Sequence, residues 1–283
     1  MSTRVDIAAA DGYRLSTRRF PADQPKARLV VAGATGVAQG FYRSFADHAA
    51  NRGYDVATFD YRGVGESAPP SLRGFRMDYR DWARLDLAAV VEDASGDVPV
   101  HLIAHSFGGH ALGLLPDPSL VTTMHAYGTG SGWRGWMPRS EQLRVAFLWN
   151  AFGPTVVRAK GYLAWKRFGL GEDLSVDVYR QWKHWCRYPG YWFDDPEIGP
   201  EMRGLFARVT APITAINAVD DRWSSPLARD AFFDHYTSVD VVRRDLRPAD
   251  VGQSGIGHMG YFRRGSKPLW DELLDELDAQ SPR

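Results

Sequence analysis

One stretch constrains the fold of this chain more than any other: residues 98–115, with the sequence VPVHLIAHSFGGHALGLL. It begins as a short apolar run with β-branched residues, which predicts a buried strand, and it ends with small and apolar residues at a density typical of a helix. Ser106 lies at the turn between the two. The backbone is crowded at such a turn, and the neighbours two positions away, Ala104 and Gly108, are small. The stretch therefore predicts a strained strand–turn–helix unit that exposes the Ser106 hydroxyl.

The position of Ser106 has two interpretations. In the first, the helix N-terminus behind the serine provides free N–H groups and positive potential at the place where an oxyanion would form during catalysis. In the second, Ser106 only caps the helix, since serine is a favoured N-cap residue, and Gly108-Gly109 reflects close packing. The rest of the chain has to decide between a nucleophile and a cap.

Composition excludes several classes of function. The chain has 283 residues, 44% of them hydrophobic, which fits one large α/β domain or two small ones. Its 34 basic and 34 acidic residues balance, so nothing favours nucleic acid or an anionic membrane as a partner. Cys186 is the only cysteine, which rules out an internal disulfide. The first residues lack an apolar signal core and no long apolar run follows, so we expect a cytoplasmic protein with no membrane span.

Strand and helix patterns alternate along most of the chain. An Asp-Gly turn signal at 11–12 predicts a β-hairpin between residues 5 and 20. Apolar strand patterns then alternate with helical ones, which predicts a mostly parallel sheet covered by helices on both faces. In open sheets of this kind the active site lies beyond the carboxyl ends of the strands. Besides the strand before Ser106, the predicted strands are 28–32, 54–59, 120–126, 212–218 and 239–245.

The alternation breaks between residues 129 and 205. Seven of the ten tryptophans of the chain lie between Gly130 and Asp195, and no strand signal is strong there. We predict a single domain over residues 1–283, with an inserted Trp-rich helical cap over 129–205 that places an apolar wall over the serine. Ordinary aromatic packing in an enlarged helical layer is the alternative. The residues predicted to contact substrate are Thr35, Trp133, Trp136 and Trp223.

Two later elements complete a catalytic pattern. A serine hydroxyl is a poor nucleophile at neutral pH and needs a base to take its proton and a carboxylate to orient that base. The adjacent pair Asp220 and Asp221 follows a late predicted strand, and His258 lies in a Gly-rich loop after the last strand. The chain therefore has a serine, a carboxylate and a histidine in that order, each after a strand. This pattern favours a nucleophile at Ser106 over a helix cap.

These residues resemble the α/β-hydrolase superfamily over nearly the whole chain. The turn at Ser106 is similar to the nucleophile elbow of that superfamily, G-x-S-x-G, with Ala104 in place of the first glycine, and the chain order of the three groups is the same. The resemblance implies the α/β-hydrolase fold with an inserted helical cap. The chain is especially similar to a bacterial group of predicted α/β-hydrolases, with which it shares Phe41-Tyr42-Arg43, Asp60-Tyr61-Arg62-Gly63, Asp220 to Trp223 and Gly257 to Gly260.

The resemblance also implies a role for each residue of the pattern. Ser106 would be the nucleophile, and His258 would be the general base and then the general acid. Asp221 would orient His258, because its spacing to Pro226 is typical of the turn that follows the acidic residue in many relatives. Asp220 is the alternative, since sequence alone does not separate adjacent carboxylates.

The oxyanion hole is the set of N–H donors that would bind the developing negative charge. The resemblance implies that Phe107 provides one donor and Ala34 or Thr35 the other. We expect no metal and no cofactor. His105 and His110 are five positions apart, which is not the four-residue spacing that holds a metal on one helix face.

The expected function is that of a cofactor-independent serine hydrolase. It would cleave a carboxylic ester, thioester or lactone through an acyl-enzyme on Ser106, with a preference for an apolar acyl group. The expected partner is a small-molecule acyl substrate, and a homodimer is compatible with the sequence. Two alternatives stay open: a hydrolase of acyl-homoserine lactones or amides, which uses the same triad, and a ligand-binding homologue without catalysis. A binding protein has no need of all three groups, which argues against the last.

Overall fold

Eight strands form one mostly parallel sheet at the centre of the molecule, in a computed structural model that describes residues 2–280. The strands are β1 (Thr3–Ala8), β2 (Arg14–Phe20), β3 (Arg28–Ala32), β4 (Asp55–Phe59), β5 (Val100–His105), β6 (Thr123–Tyr127), β7 (Ile213–Ala218) and β8 (Val241–Leu246). Their order in the sheet is β1-β2-β4-β3-β5-β6-β7-β8. The β1–β2 and β2–β4 pairs are antiparallel and the other pairs are parallel. The predicted hairpin and parallel sheet are confirmed.

Strand β5 is buried along its whole length because helices cover both faces of the sheet. Successive residues of a strand point to opposite faces. Leu102 and Ala104 accordingly join the hydrophobic core on one side, while Ile103 joins the core on the other. The apolar residues Leu102, Ile103 and Ala104 at the centre of β5 are those expected in a parallel strand that is covered on both faces.

Nine α-helices surround the sheet within residues 2–280. They are α1 (Arg43–Asn51), α2 (Ala88–Ala94), α3 (Phe107–His110), α4 (Arg139–Phe147), α5 (Gly153–Lys160), α6 (Val176–Trp185), α7 (Gly199–Phe206), α8 (Pro226–Phe233) and α9 (Lys267–Gln280). Buried side chains of α1 and α9 belong to one core, and those of α2, α3, α7 and α8 belong to the other. No helix in this part of the chain is long and apolar enough to cross a bilayer.

The helix after Ser106 is shorter than its sequence suggests. It continues for four residues as α3, and a 3₁₀ turn at Leu112–Leu114 follows it. The 3₁₀ turn packs closely against α7. A Cβ on Gly113 of this turn would lie 2.5 Å from the ring of Phe206 in α7. Local apolar density predicted the helix, but close packing against a distant segment ends it.

Four of the helices, α4 to α7, lie in the Trp-rich segment between β6 and β7. Most of its tryptophans pack structurally. Trp192 is fully buried against Phe206 and Phe232, and Trp185 packs on Trp192. These side chains share one continuous core with the sheet and α2. The segment is helical, as expected, and the division of the chain into a core and a cap over 129–205 stays a prediction.

Candidate active site

Ser106 connects β5 to α3 in a strained backbone conformation. Its φ of 53° and ψ of −111° lie in a region that residues other than glycine rarely adopt. The neighbouring strand holds it there: the Ser106 N–H donates to the Tyr127 carbonyl at 2.9 Å, and Thr129 Oγ1 donates to the Ser106 carbonyl at 2.8 Å. Gly108 is required, since a Cβ on it would lie 2.1 Å from the Ala32 carbonyl oxygen. The fold therefore forces the serine to the apex of a crowded turn.

The structure brings Ser106, His258 and Asp221 together in one hydrogen-bonded row. Ser106 Oγ lies 3.1 Å from His258 Nε2, and His258 Nδ1 lies 2.8 Å from Asp221 Oδ2. An ionised carboxylate only accepts hydrogen bonds, so Nδ1 carries the proton and Nε2 accepts from the serine hydroxyl. The side chain of Asp221 is 0% exposed and that of His258 is 21% exposed. His258 is placed to accept the proton of Ser106 at a partly exposed position. The catalytic roles of the three residues stay predictions.

Asp221 is held from both sides. Its Oδ1 accepts from the N–H groups of Trp223 and Ser224, each at 2.9 Å. Its Oδ2 accepts from the Tyr261 hydroxyl at 3.2 Å, in addition to His258. With both oxygens occupied, the carboxylate cannot rotate away from the histidine without breaking several bonds.

The neighbouring Asp220 points in another direction. Its carboxylate oxygens accept from the N–H groups of Ile256 and Gly257, at 2.9 and 3.1 Å. Those two residues immediately precede His258 in the chain. The two adjacent carboxylates therefore have different contacts: Asp221 touches the histidine ring, and Asp220 fastens the loop that carries it.

A second row of hydrogen bonds lies beneath the site. No pattern in the sequence predicted this row. His105 is fully buried, its Nε2 lies 2.9 Å from the His258 carbonyl oxygen, and its Nδ1 lies 2.9 Å from the Tyr42 hydroxyl. Burial lowers the pKa of His105 to about 3, so the ring is neutral. A carbonyl only accepts, so Nε2 carries the proton and Nδ1 accepts from Tyr42. The Tyr42 oxygen in turn accepts from the Ala34 N–H at 2.8 Å. This row ties the loop after β3 to the loop that carries His258.

Tyr42→Phe should lower the free energy of unfolding by about 2–4 kcal/mol, because it leaves the Ala34 N–H and His105 Nδ1 buried without partners, at about 1–3 kcal/mol each. Urea denaturation measures the change. The matched control is Tyr61→Phe, which also removes one buried hydroxyl, but one that has no hydrogen-bond partner within residues 2–280. Equal stability of the two variants would contradict the importance of the row.

The second row also bears on the oxyanion donors. Phe107 is the first residue of α3, so its N–H has no acceptor within the helix and lies beside Ser106. The Ala34 N–H already donates to Tyr42. Among the described residues, the N–H of the next residue, Thr35, meets no acceptor. Of the two predicted alternatives for the second donor, Thr35 is the one whose N–H is free.

A cleft of about 660 Å³ opens over Ser106 and His258. Thr35 and Trp223 line it, and their contact with substrate stays a prediction. Charged side chains also line the cleft, among them Arg144 and Arg222. Its apolar wall comes largely from the Trp-rich segment and adjoining loops. The apolar residues that line it are Val37, Leu148, Trp165, Leu170, Trp182, Trp223 and Met259.

The structure does not bring Trp133 and Trp136 to this cleft. Their rings pack against each other with centroids 5.1 Å apart, and Trp136 Nε1 donates to the Pro189 carbonyl at 3.1 Å. The tryptophans that line the cleft come from later in the segment, namely Trp165 and Trp182. Trp133 and Trp136 therefore lie outside the lining of this cleft, and their contact with substrate stays a prediction.

The remaining candidate groups are buried. His110 Nε2 lies 3.0 Å from the Gly130 carbonyl oxygen, and burial lowers the pKa of its ring to about 4. Burial also raises the pKa of the Cys186 thiol well above its usual value. Within residues 2–280, no group of three or more His, Cys, Asp or Glu side chains could hold a metal ion.

Comparison with known proteins gives a consistent result for the fold. A family model described as alpha/beta hydrolase fold matches residues 29–142. No curated protein sequence matches the chain. A soluble variant of monoglyceride lipase from Saccharomyces cerevisiae is 14% identical, with a TM-score of 0.71 over 99% of this chain and 97% of that one.

Two other solved structures are similar over a comparable length. The α/β hydrolase GrgF from Penicillium sp. sh18 is 18% identical, with a TM-score of 0.65 over 99% of both chains. The esterase EaEST from Exiguobacterium antarcticum is 16% identical, with a TM-score of 0.63 over 98% of this chain and 100% of that one. At such low identity the likeness establishes the fold alone. Since the family model and these structures agree on that fold, the chain has the α/β-hydrolase fold.

Proposed function

We propose that this protein is a serine hydrolase that cleaves a carboxylic ester, thioester or lactone through an acyl-enzyme on Ser106. The observation that carries the proposal is the row Ser106–His258–Asp221, with distances of 3.1 and 2.8 Å and the serine on a strained turn. A helix cap needs no such partners. The likeness to proteins described as an esterase and a monoglyceride lipase supports the proposal at the level of fold.

In the proposed first step, Ser106 Oγ attacks the substrate carbonyl carbon while its proton passes to His258 Nε2. Asp221 stabilises the imidazolium that forms. The developing oxyanion accepts hydrogen bonds from the N–H groups of Phe107 and Thr35. His258 then gives its proton to the leaving oxygen or sulfur, the bond from the carbonyl carbon to that atom breaks, and the acyl group stays on Ser106.

In the second step, His258 takes a proton from a water molecule, whose oxygen attacks the acyl carbon. The bond from that carbon to Ser106 Oγ then breaks, His258 returns the proton to Oγ, and the acid is released. The same residues act in reverse order, so no metal or cofactor has to supply charge or electrons. The residues that line the cleft fit this sequence, because both Ser106 and His258 face it.

An apolar acyl chain fits the wall formed by Leu148, Trp165 and Trp182. Each methylene that leaves water is worth about 0.8 kcal/mol, which corresponds to about fourfold in kcat/KM. Arg144 and Arg222 line the same cleft and provide its basic groups. We therefore propose medium or long acyl groups over acetyl.

The test is a series of p-nitrophenyl esters from acetate to dodecanoate below their micellar concentrations, together with labelling by a fluorophosphonate probe. We expect kcat/KM to rise from acetate to a medium chain length and the probe to label folded protein at Ser106. A steady fall from acetate onwards would contradict the apolar acyl group. No hydrolysis of any ester and no labelling would favour a ligand-binding protein instead.

A further inference from the structure

A small inner pocket adjoins the open cleft, with which it shares Thr35, Ser106, Trp182 and Trp223. It has a volume of about 10 Å³, which is room for one water-sized group. Phe107, Trp182 and Trp223 form part of its walls. The residues with polar side chains that line it are Thr35, Tyr79, Ser106, His110, Tyr191 and Ser224.

Two polar atoms of residues that line this pocket have no partner. Tyr191 is fully buried and His110 is 6% exposed, yet within residues 2–280 neither the Tyr191 hydroxyl nor His110 Nδ1 makes a hydrogen bond. Buried polar groups are normally paired, because an unpaired one costs about 1–3 kcal/mol. Two such atoms on one pocket beside a nucleophile indicate a polar ligand group.

The two atoms have complementary hydrogen-bonding roles. His110 Nε2 faces the Gly130 carbonyl and carries the proton, so Nδ1 is an acceptor in the neutral ring. Burial raises the pKa of the Tyr191 hydroxyl well above its usual value, and Tyr79 and Cys186 raise it further, so it stays protonated and can donate. A ligand hydroxyl can donate to the first and accept from the second.

Backbone strain points to the same place. Within residues 2–280, only two residues other than glycine have positive φ, Ser106 at 53° and Tyr191 at 58°. Both line the inner pocket. Strain of this kind is retained where the surroundings impose it, and it concentrates at functional sites.

The position of His258 determines whether the acyl side or the leaving-group side of the substrate enters the inner pocket. The leaving group must lie near His258 Nε2 to receive its proton, and His258 lines the open cleft but not the inner pocket. The leaving group therefore lies in the cleft. A group that enters the inner pocket has to belong to the acyl side, close to the scissile carbonyl.

We propose that the inner pocket binds a hydroxyl group on carbon 2 or 3 of the acyl chain, so that the preferred substrates are esters, thioesters or lactones of hydroxy acids. This rests on the proposed hydrolase function. His110 Nδ1 accepts from that hydroxyl and the Tyr191 hydroxyl donates to it, while the rest of the chain lies in the cleft. A pocket of this size excludes a methoxy group at the same position.

The test compares the methyl esters of octanoic acid with those of 2-hydroxyoctanoic, 3-hydroxyoctanoic, 2-methoxyoctanoic and 3-methoxyoctanoic acid, as separate enantiomers, in a pH-stat. We expect kcat/KM for one enantiomer of one hydroxy ester to exceed that for octanoate by about tenfold, and the matching methoxy ester to lose that advantage. Tyr191→Phe should bring the ratio of hydroxy ester to octanoate close to one.

Tyr236→Phe is the matched control, since Tyr236 is also buried but packs on Phe206 and Phe233 away from the pocket. It should keep the ratio. If octanoate is cleaved and Ser106 is labelled but no hydroxy ester is preferred, the inner-pocket proposal is wrong and the hydrolase proposal stands. If no ester is cleaved and no label is bound, both are wrong. Should Tyr191→Phe fail to fold, the ratios of the natural protein still decide.

Discussion

Ser106→Ala should abolish ester hydrolysis and fluorophosphonate labelling while leaving the fold intact, with kcat falling by about 10⁵–10⁶-fold. The variant removes the atom that attacks the carbonyl, and no covalent route remains. The residual rate, about 10³–10⁴-fold over water, would come from the N–H donors and from binding alone. Loss of one partly buried hydroxyl hydrogen-bonded to His258 should cost little stability, and the alanine keeps the backbone bonds to Tyr127 and Thr129.

The matched control is Ser254→Ala, an exposed serine four residues before His258 in the same loop. It should keep both activity and labelling. Circular dichroism and thermal unfolding check that each variant is folded. Near-normal turnover by the Ser106→Ala protein would end the serine-hydrolase proposal, because no chemistry through an acyl-enzyme on that residue survives its removal.

The sheet could be predicted from the sequence because its strands are short and bounded by turn residues, and the central ones are largely apolar. Strand β3 has the predicted bounds, and β4, β6, β7 and β8 differ from prediction by a few residues at their ends. Periodicity decides such elements locally. The order of Ser106, Asp221 and His258 in the chain, each after a strand, also predicted that they lie close together. The carboxyl ends of parallel strands lie at the same edge of a sheet.

Contacts set by tertiary packing could not be predicted in this way. Tyr42 and His105 are 63 positions apart, and nothing local links them. Trp182 lines the cleft and Trp133 does not, and the positions of the tryptophans in the sequence do not show which of them face the serine. Tyr191 adopts a positive φ that sequence patterns assign to glycine or asparagine. These features follow from the three-dimensional structure and not from local sequence patterns.

The choice between Asp220 and Asp221 leads to the second large effect. Asp221→Asn should lower kcat by about 10³–10⁴-fold. Two backbone N–H groups, those of Trp223 and Ser224, occupy Oδ1, so the asparagine carbonyl oxygen has to stay there and its NH₂ has to face His258. That NH₂ donates to Nδ1 and selects the tautomer with the proton on Nε2. A protonated Nε2 cannot accept the proton of Ser106, and no carboxylate stabilises an imidazolium.

Asp220→Asn is the matched control, because it makes the same change on the adjacent residue. Within residues 2–280, its oxygens accept from the N–H groups of Ile256 and Gly257 alone, and asparagine keeps one acceptor for them. We expect this variant to lose about tenfold or less in kcat, with a lower melting temperature, since a loosened loop shifts His258 without changing its tautomer. Steady-state kinetics on one ester and the rate of fluorophosphonate labelling measure both variants. If Asp220→Asn shows the large loss in kcat and Asp221→Asn loses less than tenfold in kcat, Asp220 orients the histidine in solution. The assignment of Asp221 is then wrong.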